Sequence, residues 1–140
     1  MNKEFIISTD KSLIRLEDVF ELLRKSYWAT ARSHEIIIKS IENSFCFGVY
    51  HNEKQIAFAR MITDYATYAY LCDVIVDEEY RGQGIGKELV GFIIEHPELK
   101  DVKSLWLQTS DAHTLYEKYG YERVNDTSKL MIKRRKVIDK

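Results

Sequence analysis

A chain of 140 residues, 45% hydrophobic and 31% charged, suits one globular domain that buries its own core without a disulfide or metal staple. The net charge of −1 carries no overall basic field, which argues against nucleic acid or anionic lipid as a partner, and the basic run Lys133–Lys136 reads as a solvated C-terminal end. No apolar run approaches the roughly 20 residues of a membrane helix, and Cys46 and Cys72 are too few for a zinc framework, so a reduced, cytoplasmic setting is expected.

In chain order, Phe5-Ile6-Ile7 reads as a first strand. Leu16, Val19, Phe20, Leu22 and Leu23 fall at helical spacing, so a helix is expected from Leu16 to Tyr27. Ser33 then caps a second helix running to about Asn43. Phe45–His51 and Gln55–Asp64 flank the polar turn Asn52-Glu53-Lys54 as a hairpin, and Tyr68–Val76 is a third long strand. The period changes at Gly84, where Ile85, Leu89, Phe92 and Ile93 mark a helix that Pro97 ends. Ser104–Thr109 reads as a strand, Ala112–Lys118 as a short helix closed by Gly120, and Tyr121–Val124 and Lys129–Lys133 as two final strands. The absence of linkers and repeats makes residues 1–140 one α/β domain with a mixed sheet and right-handed strand–helix–strand crossovers.

The third long strand feeds Arg81-Gly82-Gln83-Gly84-Ile85-Gly86-Lys87, a glycine-rich turn that opens a helix. Glycines let backbone approach a ligand, and free amides at a helix start form an anion site with the helix dipole. Arg81 and Lys87 add positive charge where a diphosphate would lie. A Walker A loop is excluded, because Gly86-Lys87 is followed by Glu88 and the upstream glycine position holds Arg81. The dinucleotide fingerprint fails as well, since its third glycine falls on Lys87 or Leu89. The pattern that fits is R/Q-x-x-G-x-G/A, through Arg81, Gly84 and Gly86.

Further on, Ala112, Leu115, Tyr116, Glu117, Lys118 and Gly120 match a second pattern in register, N-x-x-A-x-x-L-Y-E-K-x-G-F, with Thr109 and Tyr121 in place of its Asn and Phe. With both patterns in this order, the sequence resembles the GNAT (GCN5-related N-acetyltransferase) superfamily. The resemblance covers nearly the whole chain in element order, and most specifically Tyr68 to Tyr121. It implies a mostly antiparallel central sheet, flanked by about four helices, with a splayed fourth strand.

It also implies acetyl-CoA as cofactor and transfer of its acetyl group to a primary amine by direct attack in a ternary complex. Arg81, Gly82, Gln83, Gly84, Ile85, Gly86 and Lys87 would hold the diphosphate, and Thr109 and Ala112 would lie along the pantetheine. Backbone groups of Val74, Ile75 and Val76 would pair with the pantetheine amides, as an added strand does. Tyr116 matches the tyrosine that protonates the departing thiolate. Asp73 is the expected base for the amine proton, directly or through water, with burial raising its pKa, although a structural carboxylate fits the position equally. Tyr27, Trp28, Arg32, Asp64 and Tyr65 are the expected acceptor residues, suited to an amine with an apolar or carboxylate-bearing body. The short chain favours a small-molecule acceptor, with a protein N-acetyltransferase or a non-catalytic acyl-CoA sensor as alternatives. A homodimer is compatible with the family.

Overall fold

The structure, a computed structural model, describes residues 4–136. Its sheet has the order β1 (Phe5–Ser8), β2 (Phe45–His51), β3 (Lys54–Thr63), β4 (Ala69–Val76) and β5 (Leu105–Leu107). The first three pairings are antiparallel and β4–β5 is parallel. Between β1 and β2 lie α1 (Leu16–Arg24) and α2 (His34–Glu42); α3 (Ile85–Ile94) joins β4 to β5, and α4 (His113–Glu117) follows. Each helix of the expected order is present, with ends a few residues inside the expected bounds.

Local chemistry explains the boundaries. The Ser33 side chain accepts from the Ile36 N–H and starts α2. Asn52, at φ 58°, turns the β2–β3 hairpin. Gly84, at φ 82°, stands at the head of α3. The start of α1 is satisfied from outside the helix: the Arg15 N–H donates to Gln55 Oε1, and the Gln55 N–H donates to Asp18 Oδ2. Gln55 is fully buried, and its amide nitrogen also donates to the Ala57 carbonyl, so it rivets α1 to β3.

Two apolar layers cover the sheet. One joins Val19, Leu22 and Leu23 of α1 and Ile37 and Ile41 of α2 to Cys46, Phe58 and Ile75. The other joins Ile85, Leu89, Val90 and Ile93 of α3 to Phe47, Val49, Ala57, Ala59, Met61 and Leu71. The larger layer includes Tyr116 of α4.

The end of the chain departs from expectation. Among the described residues no strand follows β5, so Tyr121–Val124 and Lys129–Lys133 are not strands. A strand needs a backbone partner as well as β-forming residues, and here Arg123 donates to Glu117 and holds the segment against α4. Val124, Leu130, Met131 and Ile132 are exposed in consequence. The second strand–helix–strand crossover is therefore absent among the described residues.

Leu89 is fully buried between α3 and the sheet. Leu89→Ala should cost about 2–5 kcal/mol of stability, measured by urea denaturation, with the unfolding slope unchanged.

Candidate active site

β4 divides into two halves. Ala69, Tyr70 and Leu71 pair with Leu105, Trp106 and Leu107 of β5, whereas no β5 residue pairs beyond Leu71. The stretch from Cys72 to Val76 thus keeps β3 on one side and an open edge on the other, the splay expected of the fourth strand.

A bulge accompanies the splay. Arg60 faces Cys72 and Phe58 faces Ile75, so Ala59 opposes two residues, Asp73 and Val74. Asp73 has φ 56°, a left-handed conformation in which aspartate is enriched among non-glycine residues. The extra residue inverts the strand's alternation. Leu71 faces the α3 layer, but past the bulge Val74 and Val76 take that side while Ile75 joins the α1–α2 layer.

The Asp73 side chain is 1% exposed and bound by three donors. Arg60 Nε donates at 2.6 Å and Arg32 Nη1 at 2.7 Å, both to Oδ2, and Trp28 Nε1 donates at 2.9 Å to Oδ1. Arg60 Nη1 continues to Ser44 Oγ at 3.1 Å. Burial pushes the Asp73 carboxyl up, but the hydrogen bonds and charges of Arg32 and Arg60 outweigh it, and the pKa lies below the usual value. This corrects the expectation of a raised pKa. A stable, enclosed carboxylate is a poor proton acceptor, and Asp73 is instead the pin of the bulge.

The glycine-rich turn from Arg81 to Lys87 opens α3. Gly82 and Gly84 both have positive φ, 83° and 82°, and a Cβ at either would meet nothing within 4 Å. The first helical hydrogen bond of α3 runs from the Glu88 N–H to the Gly84 carbonyl. Among the described residues, the N–H groups of Gly82, Gln83, Gly84, Ile85, Gly86 and Lys87 have no acceptor. Arg81 Nε donates to the Val76 carbonyl at 3.1 Å, tying the turn to the end of β4. Free amides, open space and an unpaired strand edge meet what a diphosphate with an extended amide arm requires.

Tyr116 is buried, packs its ring against Tyr121 at 5.8 Å, and has its pKa raised by burial and by the nearby Asp111 and Tyr27. Its proton is therefore held firmly through neutral pH. The Tyr27 hydroxyl lies 2.6 Å from Ser110 Oγ, so the α1–α2 connection is clasped to the loop before α4. Thr109 is turned toward structure: its Oγ1 accepts from the N–H of Ala112 at 3.0 Å and braces the start of α4, and Ala112 packs against the main core.

The five expected acceptor residues separate into two groups. Trp28 and Arg32 converge on Asp73, and Tyr27 stacks edge-on against Trp28 at 4.9 Å. Asp64, by contrast, caps its own loop, accepting from the N–H groups of Ala66, Thr67 and Tyr68 and from Thr67 Oγ1. Tyr65, at φ 64°, packs on Phe45, away from that cluster. Asp64 is thus a turn brace, a role its place between two strands could have suggested.

A family model, the acetyltransferase (GNAT) family, matches residues 15–121, a span that includes both halves of this site. The chain belongs to the GNAT acetyltransferase family. A crystal structure assigned to the same family, from Xanthomonas campestris pv. campestris, superposes with a TM-score of 0.88 at 38% identity, covering 94% of this chain and 93% of that one. GCN5-related N-acetyltransferase 2 of Arabidopsis thaliana is 30% identical over 70% of this chain and 40% of its own length. The ribosomal protein bS18-alanine N-acetyltransferase of Escherichia coli is 35% identical over 54% of this chain and 53% of its own length. The chain thus spans about half the length of these two curated relatives.

Arg60 and Ser110 escaped the sequence reading of this GNAT chain. A lone arginine within the apolar run Ile56–Ile62 was the available signal for Arg60. The two thiols have no such role. Burial, the main influence, pushes Cys46 and Cys72 up to about 11 each, so neither is a ready nucleophile.

The Asp73 cluster sets an acid limit on stability. An unfolded aspartate titrates near about 3.9, and the folded group titrates lower. Its contribution is therefore present above about pH 4 and is lost as the pH falls through the folded value. Asp73→Asn should destabilise by about 3–5 kcal/mol at neutral pH. Urea midpoints across the acid range should show that deficit shrinking as the parent loses the ion pairs.

Proposed function

We propose that this protein transfers the acetyl group of acetyl-CoA to a primary amine, in a single step within a ternary complex. The observation that carries the reading is the continuity of a strand edge at Val74–Val76 that pairs with no β5 residue, its Val76 carbonyl bonded to Arg81, with six acceptor-less amides from Gly82 to Lys87. Family membership over residues 15–121 supports it.

When bound, acetyl-CoA supplies a thioester carbonyl activated for attack by nitrogen. The chain's part is to place it. The Gly82–Lys87 amides and the α3 dipole bind the diphosphate, aided by the Arg81 and Lys87 charges. Val74, Ile75 and Val76 pair with the amide arm. The amine nitrogen bonds to the carbonyl carbon, the carbon–sulfur bond breaks, and the electron pair leaves on sulfur. Tyr116, protonated throughout the neutral range, gives its proton to that sulfur. The nitrogen's surplus proton passes to water, since Asp73 is committed to Arg32 and Arg60.

A small-molecule amine is the favoured acceptor, in a cytoplasmic setting. Among the described residues no helix is long and apolar enough to cross a membrane. The 35% identity to the bS18-alanine enzyme favours one alternative, a protein N-terminus. A peptide beginning with alanine, tested beside free amines, separates the two.

Saturation with acetyl-CoA at 100 times its dissociation constant should stabilise the fold by about 2.7 kcal/mol, read as a thermal shift. Gly84→Val should abolish most of that shift, because a β-branched residue is strained at φ 82° and fills space the diphosphate needs. Tyr116→Phe should keep the shift but lower turnover by roughly 10²- to 10⁴-fold, measured as thiol release. A Tyr116→Phe protein as fast as the parent would reduce that tyrosine to packing.

A further inference from the structure

The Asp73 cluster is unbalanced. Two guanidiniums, Arg32 and Arg60, meet one carboxylate, and among the described residues neither pairs with any other acidic group. Arg60 is nearly consumed: its side chain is 11% exposed, with Nε on Asp73 and Nη1 on Ser44. Arg32 is not. Its side chain is 26% exposed, only Nη1 is engaged, and Nε and Nη2 have no acceptor among the described residues. One fixed positive charge therefore remains at a half-buried site, with two donors free on a planar fork that suits a carboxylate.

The surroundings are those of an acceptor site. Asp73, which holds Arg32, immediately precedes the open edge at Val74–Val76. A chain of contacts runs from Arg32 through Asp73 and Trp28 to Tyr27, whose hydroxyl lies 2.6 Å from Ser110 Oγ on the loop before α4. On the same face as Arg60 and Cys72, the next row across the sheet is Ile62, Tyr70 and Trp106. Ile62 is exposed and the two rings are half-buried. Beyond that row, and not lined by Arg32 or Asp73, an open cavity of about 1080 Å³ runs from Tyr70 and Trp106 past Thr109 to Tyr116.

We infer that the acceptor is an amine carrying a carboxylate, held by the free edge of Arg32 with its apolar part along Tyr70 and Trp106. The assignment rests on the acetyl-transfer reading for the fate of the amine, but the anion site stands or falls by itself. Because Asp73 already fixes the Arg32 guanidinium, little side-chain freedom is lost when the carboxylate binds.

Binding is tested without catalysis. The CoA-loaded protein is titrated with 3-phenylpropionate and with its neutral counterpart 3-phenylpropanamide, following the Arg32 Nε–H and Trp28 indole N–H signals by NMR. The propionate should shift both signals saturably, and the amide should bind roughly tenfold more weakly or worse. Arg32→Lys keeps a cation for Asp73 but loses the fork, so it should remain folded and lose most of this discrimination. Arg32→Gln, if folded, should lose all of it. Equal binding of the two probes, absence of any shift, or discrimination unchanged in Arg32→Lys would overturn the inference.

Transfer is then compared for phenylalanine against phenethylamine and for β-alanine against ethylamine. The carboxylate member should have the higher kcat/KM in at least one pair, through a lower KM that Arg32→Lys raises. Equal kcat/KM within both pairs overturns the carboxylate assignment. Discrimination in binding with no acetylation of any amine would retain the anion site and refute the acetyl-transfer reading.

Discussion

Two guanidiniums closing on one buried carboxylate are the constraint on which this site depends. Taking Asp73 out of water is costly, and a left-handed backbone at a non-glycine residue costs about 1–3 kcal/mol more. Arg32, Arg60 and Trp28 offset both by supplying three donors to one side chain. The bulge they stabilise lets β4 leave β5 after Leu71 while staying paired to β3. These bonds hold Asp73 where Ala59 meets two residues of β4. The open edge and the inverted alternation begin at that bulge, and the glycine-rich turn follows them.

The same interaction joins the two halves of the site. Arg60 comes from β3, Asp73 from β4, and Trp28 and Arg32 from the α1–α2 connection, so one carboxylate links that connection to the two central strands. A second clasp, Tyr27 to Ser110, ties that connection to the loop before α4. The glycine-rich turn is simpler. It needs glycines at positive φ, a helix to leave amides unpaired, and Arg81 bonded back to Val76 to fix its direction.

How much of this was legible follows from the range of the interactions. The helices, the hairpin and the Arg81–Lys87 turn depend on neighbours a few residues apart, and their spacing shows them directly. Membership of the GNAT family was legible for the same reason, since both signatures are short runs. The direction of the Asp73 pKa is not legible in the strand because it depends on Arg60 and Arg32, which lie 13 and 41 residues away in the chain. From the strand alone, apolar neighbours suggest desolvation and a raised pKa; only the fold brings the cations that reverse it. The local bonds of Asp64 and Thr109, which brace their own turns, likewise show only in the fold. The final strands failed for another reason. Leu130–Ile132 has strand-like residues, but pairing is a property of two segments, and the described chain supplies no partner.

The central claim is that backbone N–H groups along one continuous path, from the open half of β4 to the head of α3, receive the acetyl donor. Amide hydrogen exchange with and without CoA tests it residue by residue. Slowed exchange should concentrate at Val74–Val76 and Gly82–Lys87, with the β1–β2 hydrogen bonds unaffected. Uniform protection across the domain, or protection that leaves the Gly82–Lys87 amides untouched, would contradict it.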